Sequence, residues 1–142
     1  MNHQNLKIIL LGAAMDKAGM KTRDIRFFSN KNDQIICIHS KWARDYAKYL
    51  EQQPWVQSYQ AVVPLEPDYI QHVSPVDIRS LYFKSEWATD FLIRFVDGRK
   101  GVRELVHKED LTKRAIVERL ELSRRYWAVR DIDEWKVVLV DV

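Results

Sequence analysis

The pair Asp97-Gly98 stands between two strand-like runs, residues 89–96 and residues 102–107. Asp-Gly is among the strongest short signals for a tight β-turn, because glycine takes the positive φ such a turn needs. The flanking runs are therefore expected to be antiparallel neighbours in one sheet. Residues 81–85 read as another strand of the same meander. The closing run WKVVLV, residues 135–140, is almost wholly apolar, as expected of a central strand covered on both faces.

Two helices are expected around this sheet. Ser40 is placed to cap the first, and Ala43, Tyr46, Ala47 and Leu50 behind it recur at helical spacing until Pro54 stops the pattern. In the second, Ile116, Leu120, Ser123 and Trp127 share one face. Glu121 and Arg125 sit at the favourable i, i+4 spacing on another, and the helix is expected to end near Arg130. QIICIH, residues 34–39, reads as a buried strand after the turn-like residues 30–33, and residues 55–63 read as a further strand. Residues 64–79, with Pro64, Pro67 and Pro75, read as a loop excursion. The fold class expected from this order is mixed α/β, a central mixed β-sheet flanked by α-helices.

A chain of 142 residues fits one domain, and no linker or repeat divides it. The expected boundaries are an N-terminal segment, residues 1–22, and a folded domain, residues 23–142. Its single cysteine, Cys37, excludes an internal disulfide and a four-cysteine zinc site, which leaves the cytoplasm as the default compartment. The apolar run from Leu6 to Leu11 is far shorter than the ~20 residues a membrane span needs. A net charge of +3, from 23 basic and 20 acidic residues, leaves DNA binding open.

Phosphodiester cleavage uses acidic oxygens to hold a hard cation, with a positive group nearby. Asp90 opens an apolar strand run and so would stand at a sheet end, although a strand-initiating turn residue is the commoner meaning of such an Asp. Glu104, His107 and Lys108 follow on the next strand. Alternation puts Leu105 and His107 on one face and Glu104, Val106 and Lys108 on the other, so Glu104 is expected to face solvent. His3, His39 and His72 lack the short ligand spacing of a zinc site and read as ordinary surface or core histidines. Lys113, Arg114, Arg119, Arg124 and Arg125 on the second helix could line a phosphate backbone. They alternate with Glu118 and Glu121, which is the usual pattern of a solvated helix face.

Taken in order, these residues resemble the N-terminal catalytic domain of the TnsA transposon endonuclease family. The resemblance runs from Ser40, Arg44-Asp45-Tyr46 and Leu50-Glu51 through Pro54, Val56 and Ser58-Tyr59-Gln60 to Thr89-Asp90-Phe91-Leu92 and Asp97-Gly98. It continues in Val106-His107, where the family has Val-Lys, and in Arg124-Arg125-Tyr126-Trp127. Arg26, Phe28, Ser29, Lys31 and Asn32 match the family's lead-in. The likeness covers residues 23–140. It implies a restriction-endonuclease-like PD-(D/E)XK fold in which a helix Glu, a strand Asp and a Lys gather Mg²⁺ or Mn²⁺ and water. It also implies duplex DNA at transposon ends, a partner transposase subunit and an ATPase regulator as partners, and no membrane.

Carried over position by position, the Asp is retained as Asp90, the helix Glu falls on Ala43 and the Lys falls on His107. Alanine cannot ligate a metal, and an imidazole that stays neutral near pH 7 lacks the lysine's fixed charge. Losing one such group commonly costs ~10²–10⁴-fold in rate, so losing two predicts a degenerate enzyme. Glu104 and Lys108 are the substitutes a working endonuclease would use. Asp45 and Glu51 project about 200° and 80° around the helix from Ala43. The family's second, winged-helix domain finds no counterpart in this sequence, which weakens the expectation of a regulator contact. A module that has left DNA for protein interaction is the third reading.

Overall fold

The computed structural model describes residues 24–140; residues 1–22, set apart above as an N-terminal segment, lie outside them. Strands β1 (Ile25–Ser29) and β2 (Gln34–Ile38) form an antiparallel hairpin. Helix α1 (Lys41–Gln52) follows, and the Ser40 hydroxyl caps it by accepting the Ala43 N–H at 3.1 Å. Strand β3 (Val56–Pro64) leads to a short helix α2 (Pro67–Ile70) and a 3₁₀ turn at Ser80–Lys84. Strands β4 (Ala88–Phe95) and β5 (Lys100–His107) come next, then helix α3 (Arg114–Ala128) and strand β6 (Glu134–Val140).

The fold is mixed α/β. Its four-stranded sheet has the order β3-β4-β5-β6, antiparallel across the first two pairings and parallel between β5 and β6. The Asp97-Gly98 turn makes the β4–β5 hairpin: Gly98 takes φ +92° and donates to the Phe95 carbonyl at 2.9 Å. The parallel β6 needs a crossover, and α3 supplies it.

Alternation along the strands splits the core into two layers. Phe91, Ile93, Phe95 and Leu105 pack with Ala47 and Leu50 of α1. Val102, Val106 and Leu92 pack on the other face with Ile116, Leu122, Tyr126 and Trp127 of α3. The excursion between β3 and β4 completes that second layer through Leu65, Ile70, Tyr82 and Trp87.

Three expectations are corrected. Residues 81–85 are not a strand, because the Tyr82 carbonyl accepts the Trp87 indole N–H at 2.7 Å and the segment coils into a 3₁₀ turn that buries Tyr82 and Trp87. The flank of β4 is taken by β3 instead. The closing strand is an edge, not a central strand, and of its residues only Val137 is fully buried. Glu104 does not face solvent, because α3 lies over that face of the sheet and leaves the carboxylate with no exposure.

Among the described residues, no helix is long and apolar enough to cross a membrane.

Candidate functional site

Asp90 is the third residue of β4, at the point where β4 and β5 separate. Their ladder ends at Phe91 opposite Arg103, and beyond it side chains take over the bonding. The Leu105 N–H donates to Asp90 Oδ2 at 2.7 Å, and the Asp90 N–H donates to Glu104 Oε1 at 3.3 Å. Two carboxylates from adjacent strands are thereby brought side by side. On its other flank Asp90 lies beside Val62, since the register pairs Ala61 with Phe91 and Val63 with Thr89. Val62 has φ +55°, a conformation a β-branched residue adopts at a cost of ~1–3 kcal/mol, and such strain clusters at functional positions.

Glu104 is tied inward. Its Oε2 accepts from the hydroxyls of Thr89 at 2.8 Å and Ser123 at 2.5 Å. Those hydroxyls accept in turn from the indoles of Trp127 at 2.8 Å and Trp135 at 3.0 Å. Arg119, from the same face of α3 as Ser123, is fully buried. One of its nitrogens donates to the Ala88 carbonyl at 2.9 Å, and its guanidinium lies 4.8 Å from the Trp87 ring centre. Its Nε and Nη1 have no hydrogen-bond partner among the described residues, so the cation is held chiefly by that ring and by the charges of Glu104 and Asp90.

The electrostatics follow from this burial. Burial first, and then the negative charge of Glu104, hold the Asp90 pKa well above the usual carboxylate range, against the Leu105 N–H and the charge of Arg119. Burial lowers the Arg119 pKa, while Glu104 and Asp90 push it back up.

A cleft of ≈ 920 Å³ opens beside this cluster, with Asp24, His39, Ala43, Lys84 and Asp90 among its lining residues. Ala43 and Asp90 therefore border one space. His107 is buried, its ring meeting Trp42 edge-on with centroids 4.6 Å apart. Lys108 is exposed at the start of the 3₁₀ turn after β5. Asp45 is exposed beside Arg44 at 3.5 Å. Glu51 instead fastens the hairpin: it accepts from the hydroxyl of Ser29, from Tyr59 at 2.5 Å and from the Lys31 N–H at 3.2 Å. Asn32 completes the clasp, accepting the Tyr59 N–H at 2.8 Å.

These residues do not fit a magnesium centre. Mg²⁺ wants near-octahedral oxygen donors, usually with one or two free carboxylates. The cleft offers Asp90, which favours its protonated form and has one oxygen bonded to Leu105, across from the methyl of Ala43. The Glu104 carboxylate is spent on hydroxyls.

The basic residues of α3, and Lys113 just before it, are also engaged. Lys113 reaches Asp110 at 2.7 Å, and Arg114 reaches Glu118 at 2.5 Å. Arg124 forks onto Glu121 at 2.9 and 2.6 Å. Arg125 bonds Glu121 at 2.8 Å and the carbonyls of Ser74 and Val76 at 2.7 and 2.8 Å, which pins the excursion to α3.

Sequence reasoning put Arg119 among the cations of a phosphate-facing helix surface, whereas it is buried against the Asp90 cluster, and it missed the Thr89–Ser123 hydroxyl pair. The available signal was Ser123, a polar residue inside an apolar helical stripe, which implies a buried acceptor opposite. In comparisons with known proteins, no protein-family model matches the chain, and no curated protein is significantly similar to it in sequence.

Proposed function

We propose that this chain is a TnsA-like nuclease-fold protein that has lost its chemistry and acts at transposon DNA ends as a binding or transposase-docking module. The observation that carries this reading is the environment of Asp90. It stands at a strand end on a cleft, where a nuclease of this kind keeps its aspartate. The two groups that should meet it are a methyl, Ala43, and a buried imidazole, His107, and Asp90 itself is pushed by burial and Glu104 toward its protonated form and is internally bonded.

The order of elements supports the family reading, and so does the Ser29–Lys31–Asn32–Glu51–Tyr59 clasp, since all five residues belong to the motifs on which the resemblance rests. Between the two roles, docking is favoured. The cations of α3 are already paired with acids, which weakens a phosphate-binding face. Exposed Tyr49 and Trp55, with ring centroids 6.3 Å apart, and exposed Val96, whose N–H bonds the Trp55 carbonyl, form an apolar surface at one end of the sheet.

One observation favours an active enzyme: Asp90 lines the cleft, and a second carboxylate, the buried Glu104, lies directly behind it on the next strand. In that reading Glu104, if freed from Thr89 and Ser123, would be the second carboxylate for a Mg²⁺ or Mn²⁺ ion, and Lys108 would supply the positive charge. A third reading, a protein-interaction module unrelated to DNA, shares the apolar patch.

Binding measurements separate these roles. Duplex DNA carrying transposon ends is titrated at rising salt, and the partner transposase is titrated in parallel. The docking account expects transposase binding that weakens on Trp55→Ala, with DNA affinity that is weak and falls with salt. Tight, salt-dependent DNA binding without transposase binding points to the end-binding role. Binding of neither overturns the proposal.

A further inference from the structure

Among the described residues, one group of three ligand-type side chains gathers outside the Asp90 cluster. The Asp24 carboxylate, the Cys37 thiol and the His39 imidazole have ligand atoms all within 4.8 Å of one another, and Asp24 Oδ1 lies 3.2 Å from His39 Nδ1. We propose that these three residues form a binding site for a zinc-class divalent transition-metal ion that pins the open end of the β1–β2 hairpin.

Strand pairing makes the site. Ile25 pairs with Ile38 and Arg26 with Cys37, so Asp24 falls opposite His39 at the end of the ladder. Cys37 and His39 are two residues apart and share one face. Asp24 reaches the same face from the neighbouring strand, so the ion would bridge β1 to β2 just beyond the last pair of their ladder. A sulfur, a nitrogen and an oxygen donor suit Zn²⁺, with Co²⁺ as its spectroscopic substitute, and do not suit Mg²⁺ or Ca²⁺. Three protein ligands leave a fourth tetrahedral position. Asp24 and His39 line the cleft, so that position opens toward the cleft for water or a ligand oxygen.

The surroundings set limits. Arg26 approaches the second Asp24 oxygen at 3.6 Å, which orients the carboxylate while placing a positive charge near the ion. Asp24 is exposed while Cys37 and His39 are half-buried, so the metal can enter from solvent. Binding displaces the proton of the Cys37 thiol to solvent, so affinity rises with pH.

The test is a Co²⁺ titration of the full chain, freed of metal under reducing conditions and followed by absorption. The expected result is a thiolate-to-cobalt charge-transfer band with tetrahedral visible bands, saturating at one ion per chain and bleached by one equivalent of Zn²⁺. Cys37→Ser abolishes the charge-transfer band, and His39→Ala weakens the visible bands. Zn²⁺ also raises the melting temperature of the wild type but not of Cys37→Ser, with circular dichroism confirming that each variant is folded. Folded wild type that develops no band, or a band that survives in Cys37→Ser, overturns the proposal. A variant that fails to fold is replaced by thiol titration of the wild type, where Zn²⁺ must protect Cys37 and failure to protect overturns the site.

Discussion

The backbone N–H of Leu105 donates to the side chain of Asp90 at 2.7 Å, across two strands whose regular pairing has ended one residue earlier. A carboxyl group thus completes the bonding of the sheet where the backbone no longer does. An acid held this way is a structural part. With Glu104 beside it and little solvent, its protonated form is favoured, which sets it apart from a metal ligand.

The first prediction follows from that protonation. The folded-state pKa of Asp90 lies above the unfolded value of ~3.9, so the contribution of this group to stability is complete below about pH 4 and declines as pH rises toward the folded value. Asp90→Asn removes the decline. Urea denaturation from pH 4 to pH 8 is expected to give the variant a flatter profile than the wild type, with its relative gain at the alkaline end.

Arg119 carries the opposite charge of the same cluster, and its removal leaves buried negative charge uncompensated. Arg119→Met is expected to destabilise the fold by ~3–5 kcal/mol at pH 7. Glu104→Gln alone is also destabilising, because a carboxamide cannot accept from all of Thr89, Ser123 and the Asp90 N–H while satisfying its own donors. The double variant should lose less than the sum of the two, and a double-mutant cycle on denaturation midpoints checks this. Strict additivity would show that the two side chains are uncoupled.

Much of this scaffold was legible in the sequence, and particular residues show why. The Asp97-Gly98 turn, the Ser40 cap and the Ala43–Leu50 stripe act locally, through φ preference and periodicity, so they read directly as the β4–β5 hairpin and α1. Glu104 was misplaced because alternation gives a face but not what covers it, and α3 covers this one. The run at residues 135–140 looked central because its composition is apolar, whereas its place in the sheet is decided by the parallel crossover. Residues 81–85 have strand-like composition but coil, because Tyr82 and Trp87 satisfy each other. The Asp24–Cys37–His39 group depends on a pairing register that no spacing rule reveals.

The Glu51 clasp gives a third prediction. Glu51 accepts from Ser29, Tyr59 and the Lys31 N–H, and those bonds outweigh burial to hold its pKa below the ordinary value. Glu51→Gln is expected to cost ~1.5–3 kcal/mol and to loosen the hairpin from α1. Hydrogen exchange should then show faster exchange in β1 and β2 with little change in β5. Uniform acceleration across the sheet would mean that the clasp is not local.

Acid stability should depend on Glu118. Burial opposes its ionisation, but the Arg79 backbone and side chain and the Arg114 side chain outweigh it and bring the pKa down to about 2. Its contribution is therefore present above the unfolded value of ~4.3 and is lost as pH falls toward 2. Glu118→Gln should lower the melting temperature at pH 7 and reduce the further loss between pH 4 and pH 2. An unchanged acid profile would place the sensitivity elsewhere.

We propose that a nuclease framework persists in this chain without its chemistry, and nicking of supercoiled plasmid by the full chain in Mg²⁺ or Mn²⁺ tests this most directly. The expected result is no nicking above that of an Asp90→Ala control at any concentration of either ion. Robust nicking that needs the metal and disappears in Asp90→Ala would contradict the claim.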